Sequence, residues 1–277
     1  MASKNIMESN PVGVIGAGNF GTVIANIIAE KRPVLLYARN HLDVEHMIST
    51  RENCGYYLHP NIEPVNNLET LANNCEVIFP IISSSGFRKL MKNLALYLYP
   101  YHILIHGTKG LDIRPDIDIY NDTIEVNRSH IKTMSEVITE ETVAVRVGCL
   151  AGPNLAKEIA LGQPAATVVA SPFDEVISIG KKLLRSKRFQ VYGSTDLVGI
   201  ELAGVLKNII AIAAGALHGL GMGENAKALL LSRGLAEMIH LGKSLGGNTH
   251  AFIGVAGVGD LVATCSNINS RNFTFDS

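Results

Sequence analysis

Between Leu197 and Leu217 the chain reads LVGIELAGVLKNIIAIAAGAL, an apolar stretch whose only charged residues are Glu201 and Lys207. No Pro interrupts it, and its length suits a helix buried on most faces rather than a strand. A lysine in such a helix must be paired, reach solvent or line a functional cavity. Burying an unpaired ammonium is costly and drives its pKa down, which is what a lysine needs to act as a general acid or base near neutral pH. The competing reading is a lysine that snorkels at the helix rim. Glu201 offers no obvious partner, because a separation of six residues puts it on a different helix face.

Four other strings carry reactive or anion-binding side chains. Thr108-Lys109-Gly110 directly follows an apolar strand run, which puts Lys109 at a strand's C-terminal edge, where open α/β sheets bind ligands. Gly152-Pro153-Asn154 follows another strand run, and its Pro suggests a helix start aimed at the same crevice. Gly257-Val258-Gly259-Asp260 places an acid behind a flexible turn, with a bare N-cap for helix 261–265 as the bland alternative. Ser270-Arg271-Asn272 offers an anion-binding fork, or else a solvated surface arginine.

Near the start, Gly16-Ala17-Gly18-Asn19-Phe20-Gly21 is a G-x-G-x-x-G that follows one strand, opens a helix and precedes a second strand. That context is what a dinucleotide fingerprint requires. Gly16 permits the turn, Gly18 lets the backbone approach a pyrophosphate, and Gly21 lets helix and strand pack closely. The pyrophosphate would rest on the helix N-terminus. At the end of the second strand, where an NAD-specific site usually carries Asp or Glu, the chain has Tyr37-Ala38-Arg39-Asn40. Arg39 suits a 2′-phosphate, so the site admits NADP as well as NAD.

Positioning these groups requires a framework, and the hydrophobic pattern supplies one. Strand runs fall at 12–16, 34–38, 77–82, 102–107, 143–150, 165–170 and 188–192, with helical stretches at 20–30, 41–49, 86–98, 154–161 and 173–186 between them. Such alternation predicts an α/β domain, a mostly parallel doubly wound sheet with helices on both faces. Pro80 inside one strand run marks an edge, a bulge or a boundary. From Thr195 onward the pattern is helical, with glycine-rich breaks at 219–223, 246–247 and 254–259. The expected organisation is a dinucleotide-binding unit over 1–194 and an all-helical substrate and catalytic unit over 195–277. The polar, acidic segment 112–141 reads as an excursion from the sheet.

Bulk properties narrow the function further. The chain has 277 residues, with 24 basic and 25 acidic side chains and a formal charge of −1, so there is no electrostatic footprint for nucleic acid. A mean hydropathy of +0.21 fits a protein with a sizeable core. The longest uninterrupted apolar run, Ile209 to Leu217, is too short to span a bilayer. The four cysteines have no CxxC spacing, which points to a reduced, cytoplasmic protein. His102 and His106 share one face of a strand run, but no acidic or Cys residue stands at ligand spacing beside them, and no metal is expected.

Taken together, GAGNFGTV (16–23), LYAR (36–39), GTKGLD (107–112), AGPNLAKEIALGQPAA (151–166), GIELAGVLKNIIAIAAGALHGLGMGENAKALLLSRGLAEM (199–238) and GVAGVGDLVATCSNINSRN (254–272) resemble the glycerol-3-phosphate dehydrogenase family, in the family's order and across nearly all of the chain. The bacterial NAD(P)-dependent branch is the more similar. The resemblance implies reduction of dihydroxyacetone phosphate to sn-glycerol 3-phosphate with NADH or NADPH, feeding glycerophospholipid synthesis, in a cytoplasmic homodimer. It implies that Lys207 is the proton donor and acceptor, and that Lys109 contacts both substrate and cofactor. Gly152, Asn154, Asp260, Ser270, Arg271 and Asn272 would be substrate contacts. Asn19, Phe20, Arg39, Ala156 and Arg271 would be cofactor contacts beside the glycines. Lys109 would depress the pKa of Lys207 by like-charge repulsion and Asp260 would raise it.

Three differences from the family stand out. Phe20 takes the place of a more common Trp or Tyr, Ile81-Ile82-Ser83 replaces Val-Pro-Ser, and segment 112–141 is longer than in many bacterial members. Family members also continue well past Ser-Arg-Asn with further helices. The expectation is a helical unit incomplete at its C-terminus, with apolar faces of 197–241 partly uncovered and prone to association. The alternative function is a catalytically impaired, truncated member that binds dinucleotide or associates with intact subunits.

Overall fold

The structure, a computed structural model, describes residues 10–113, 117 and 127–266. Eight short strands form one sheet: Val12–Ile15 (β1), Val34–Tyr37 (β2), Ile62–Val65 (β3), Val77–Pro80 (β4), Ile103–His106 (β5), Arg146–Ala151 (β6), Ala165–Ala170 (β7) and Phe189–Ser194 (β8). Their spatial order is β8-β7-β6-β5-β4-β1-β2-β3. From β3 through β6 every neighbouring pair is parallel; β7 runs antiparallel to β6, and β8 is parallel to β7. The order 3-2-1-4-5-6 over the parallel part is that of a doubly wound dinucleotide-binding sheet, whose ligand crevice opens beyond the carboxyl ends of β1 and β4.

Helices cover both faces, which is why the inner strands are continuously apolar. Asn19–Ala29 (α1) and, further on, Asp174–Leu184 share one core with the sheet, built on Val14, Ile24, Ile28, Phe79, Ile105 and Val176. On the opposite face Leu71, Phe87, Met91, Val137 and Ile138 pack against Ile15, Ile78 and Leu104. The helices on that second face are Leu68–Asn74 (α3), Phe87–Ala95 (α4) and Met134–Glu141 (α5), while His41–Thr50 (α2) follows β2. Ala156–Ala160 is α6 and Asp174–Leu184 is α7. Beyond Ser194 the chain is helical: Leu197–Gly219 (α8), Glu224–Ser244 (α9), Thr249–Ile253 (α10), a π-helical turn Val255–Gly259, and Asp260–Cys265 (α11). A third core joins Cys149, Ala151, Val168 and Ala170 of the sheet to Ile200, Ala203, Phe252 and Leu261 of these helices.

Several expectations need correction. Strand β3 and helix α3 were absent from the sequence reading, because Glu63 and Pro64 interrupt the apolar run; Pro64 is tolerated since β3 is the sheet's edge. Pro80 marks a boundary and not an edge: it ends β4, an inner strand, opposite Ile15. The far end of segment 112–141 belongs to the main core and not to an excursion. Leu111–Ile113 pairs antiparallel with Ile131–Thr133, which leads into α5, whose Met134, Val137 and Ile138 are core residues. Helix α5 is announced by a capping box, Thr133 with Glu136. Pro153 does not start a helix; α6 begins only at Ala156. The glycine-rich stretch 254–259 is a tight π turn continuous with α11, where the expectation was a flexible break.

Helix α8, 23 residues long, is long and apolar enough to cross a membrane by length and composition, although no uninterrupted apolar run in it is. Its buried Glu201 and Lys207 both bond across to other elements, which is the behaviour of a core helix. Ile209 and Ile212 of α8 and Leu229 and Leu241 of α9 are exposed. All four cysteines are free, with Cys54 exposed and the other three buried.

The close approach of α1 to β1 depends on Gly21. A Cβ there would lie 1.9 Å from the Gly16 carbonyl oxygen, and that oxygen is backbone and cannot move aside cheaply. Gly21→Ala is therefore expected to destabilise the fold by about 1–3 kcal/mol, the usual range for overpacking, measured by urea denaturation of both proteins.

Candidate active site

Helix α8 carries Lys207 into the interior, where the residue is 5 % exposed. Its Nζ donates to Asp260 Oδ1 at 2.6 Å and to Thr264 Oγ1 at 2.5 Å. Asp260, 2 % exposed, is the first residue of α11 and has helical backbone angles, so it is not the N-cap. Its second oxygen, Oδ2, accepts from Lys109 Nζ at 2.5 Å. Lys109, just past the end of β5, also donates to the Gly152 carbonyl at 3.0 Å. The stem of Lys109 crosses α8 at Gly204, 3.7 Å from where a Cβ would stand. One carboxylate thus bridges two ammonium groups. An ammonium has three donors, and among the described residues each lysine uses two, leaving one apiece for a ligand.

The electrostatics follow from this geometry. Burial pushes the Lys207 pKa down, repulsion from Lys109 adds to the fall, and Asp260 pulls the other way; the result is about 8. With both lysines protonated the three groups sum to one positive charge, which suits an anionic substrate. Close by, Asn154 Nδ2 donates to Thr167 Oγ1 at 3.0 Å, while its Oδ1 is buried with no partner among the described residues. Such an orphaned acceptor is costly unless a ligand hydroxyl satisfies it.

Glu201, the other charge of α8, faces away from the lysines. Its carboxylate accepts from Ser135 N at 2.9 Å and Thr133 Oγ1 at 3.1 Å, and it lies 3.0 Å from His106 Nε2. It therefore ties α8 to the N-terminus of α5 and to the last residue of β5, three residues before Lys109. The acid missing beside His106 in sequence is supplied from 95 positions away by folding. Among the described residues, no group of three or more His, Cys, Asp or Glu side chains is gathered as a metal site.

At the crevice between β1 and β4, Gly16 adopts φ +117°, and its peptide lies against the Ile81 carbonyl. Gly18 precedes α1 with no side-chain cap, and a Cβ there would meet nothing within 4 Å, so the helix N-terminus is open. Phe20 lies beside Gly107, a Cβ on which would stand 3.2 Å from the ring, at the end of β5. Arg39 is exposed just after β2, and Ala156 opens α6, which packs on α1. An uncapped helix end, glycines where backbone must approach closely, and an aromatic ring against Gly107 at the end of β5 fit a dinucleotide laid across the crevice.

Residues 11–176 match the family profile described as NAD-dependent glycerol-3-phosphate dehydrogenase N-terminus, and residues 196–276 match the corresponding C-terminus. The chain belongs to the NAD-dependent glycerol-3-phosphate dehydrogenase family. A glycerol-3-phosphate dehydrogenase [NAD(P)+] from Pseudomonas paraeruginosa is 40% identical over 271 residues, which span 96% of this chain and 75% of that relative. The crystal structure of glycerol-3-phosphate dehydrogenase from Coxiella burnetii superposes with a TM-score of 0.86 at 30% identity, covering 96% of this chain and 79% of the other. The Saccharomyces cerevisiae enzyme structure gives 0.81 at 26% identity, covering 96% and 79%.

Within this glycerol-3-phosphate dehydrogenase framework, folding gathers Lys109, Gly152, Lys207 and Asp260 into one contact network, with Asn154 beside it. Gly16, Gly18, Asn19, Phe20 and Gly21 form the neighbouring crevice edge. Ser270, Arg271 and Asn272 lie outside the described residues. The sequence reading missed Thr264, which accepts from Lys207 and donates to the Asp260 carbonyl at 2.7 Å. Its spacing of four from Asp260 on a helix was the available signal.

Proposed function

We propose that this chain reduces dihydroxyacetone phosphate to sn-glycerol 3-phosphate with NADH or NADPH, with Lys207 as its acid and base. The observation that carries the reading is the buried Lys207–Asp260–Lys109 network at the carboxyl edge of a doubly wound sheet. A bound dinucleotide supplies or accepts the hydride. The chain's own work is at the substrate oxygen. As the ketone carbon becomes tetrahedral its oxygen gains charge, and the remaining N–H of Lys207 stabilises that oxygen and transfers the proton. Asp260 and Thr264 hold the Lys207 ammonium in place. Lys109 and the free Oδ1 of Asn154 orient the substrate, with Gly152 holding Lys109 through its carbonyl. Ser270, Arg271 and Asn272 complete the reading as the fork for the substrate phosphate, with Arg271 also touching the dinucleotide.

The glycine turn with Asn19, Phe20, Arg39, Lys109 and Ala156 makes up the cofactor side. Residues 1–194 then serve as the dinucleotide-binding unit and 195–277 as the substrate unit, in a cytoplasmic homodimer that feeds glycerophospholipid synthesis. The direct test follows NADH and NADPH oxidation with dihydroxyacetone phosphate, alongside calorimetric binding of each dinucleotide. Turnover with both is the expected result. Binding at saturation without turnover in the folded protein overturns the catalytic reading and leaves a dinucleotide-binding, impaired family member. Cofactor choice has its own test, since Arg39 follows the strand end that meets the adenosine ribose. Arg39→Ala is expected to weaken NADPH more than NADH by about 1.5–3 kcal/mol, the range for a charged hydrogen bond; equal losses in the two titrations reject that role.

A further inference from the structure

We propose that Asn53 is a positioning residue of the dinucleotide site, acting through the backbone of the glycine turn. The inference rests on the cofactor reading above and names a residue that the fingerprint does not contain. Asn53 stands in the small hairpin of Glu52–Asn53 and Tyr56–Tyr57, more than thirty positions from the turn. Its carboxamide nitrogen spends both hydrogens there, donating to the Ala17 carbonyl at 2.8 Å and to Thr22 Oγ1 at 2.7 Å. Ala17 is the central residue of Gly16-Ala17-Gly18, and Thr22 is in the first turn of α1.

Peptide planarity turns this contact into a constraint on the ligand side. Across a trans peptide the carbonyl and the following N–H point in opposite directions. Holding the Ala17 carbonyl toward the hairpin therefore holds the Gly18 N–H away from it. Gly18 is also the uncapped N-terminus of α1, with open space where a side chain would be. Without Asn53 the Ala17 carbonyl keeps only the weak Cys54 Sγ contact at 3.6 Å, so the 17–18 peptide is held more loosely and a dinucleotide must order it on binding.

The hairpin is anchored well enough to act as a clamp. Asn26 of α1 donates to the Tyr57 carbonyl at 3.0 Å and accepts from the His59 amide at 2.8 Å. Arg51 donates to the carbonyls of His59 at 2.7 Å and Ile62 at 3.1 Å, fixing the hairpin's other end to the start of β3. Backbone φ values of +53° at Cys54 and +78° at Gly55 make the tight reversal of the hairpin, and +56° at Arg51 ends α2 just before it.

The test is calorimetric titration of NADH and NADPH into the unmodified protein, Asn53→Ala and Thr22→Val, without substrate, followed by steady-state kinetics. Asn53→Ala is expected to raise both dissociation constants by about tenfold, the order of one or two lost hydrogen bonds. Both dinucleotides should suffer equally, unlike Arg39→Ala. In kinetics the change should fall on the dinucleotide KM, with kcat and the KM for dihydroxyacetone phosphate within about twofold of the unmodified protein. Thr22→Val keeps the volume of a fully buried side chain and removes one of the two acceptors, so a rise of about threefold is expected even if Asn53→Ala fails to fold. Dissociation constants unchanged in a folded variant, or a loss confined to kcat, overturn the inference alone. Absence of dinucleotide binding to the unmodified chain overturns the cofactor reading and the inference with it.

Discussion

Replacing Lys207 with Met is expected to lower kcat for dihydroxyacetone phosphate reduction by about 10²–10⁴-fold, the range that general acid–base catalysis supplies. Dinucleotide binding should survive, because the crevice between β1 and β4 is built from other elements. Methionine keeps most of the buried volume and removes the proton, so the loss reads the chemistry more than the packing. The pH dependence gives an independent signature. Lys207 titrates near 8, and ketone reduction needs its ammonium form. The rate of reduction therefore falls as pH rises through about 8, while oxidation of glycerol 3-phosphate, which needs the neutral amine, rises through the same range. Asp260→Asn removes the charge that holds this pKa up against burial and Lys109, so the same limb should move to lower pH. Initial rates of both directions over pH 6–10, for the three proteins, check all of this. Near-normal turnover in Lys207→Met, or a limb that stays in place in Asp260→Asn, contradicts the assignment.

Replacing Glu201 with Ala is expected to cost about 3–5 kcal/mol of stability, as when one member of a buried polar or ionic cluster is removed. Its side chain, 4 % exposed, satisfies the Ser135 amide and the Thr133 hydroxyl and lies against His106. Truncation leaves those donors unpaired and opens a cavity as well. Glu201→Gln retains the shape and one acceptor, and should lose about 1 kcal/mol, the net worth of one hydrogen bond. Guanidinium denaturation of the three proteins separates these outcomes. Equal, small losses in both variants contradict the structural role given to the cluster. Because Glu201 ties α8 to β5 and α5, the Ala variant should also loosen the approach of Lys207 to Lys109.

Much of this architecture was legible in the linear order of residues. Apolar runs alternating with amphipathic ones predicted the parallel sheet, because strands buried on both faces must be apolar throughout. Strand β3 escaped since an edge strand tolerates Glu63 and Pro64, and its pattern is correspondingly broken. Helix α5 escaped for a related reason: its exposed face and the neighbouring polar hairpin diluted its apolar stripe, although Thr133 and Glu136 marked its start. Glycine-rich 254–259 was read as a flexible turn from composition. In the fold those glycines allow a π turn packed tightly against Phe252, where a Cβ on Gly257 would lie 2.0 Å from the Phe252 carbonyl oxygen.

The sequence by itself determined that Lys207 stands in an apolar helix and needs a partner, and that Gly16, Gly18 and Gly21 suit a dinucleotide turn. Those are local properties, set by side-chain type and helical or strand period. Tertiary structure decided which groups answer them. Asp260 reaches Lys207 from 53 positions away and Lys109 from 151, Glu201 turns to His106 and Ser135 instead, and Asn53 comes to the glycine turn from a distant hairpin. Burial dictates that a charge be compensated but is indifferent to where along the chain the compensating group lies. The three-dimensional packing of α8, α11 and the carboxyl end of β5 makes that choice.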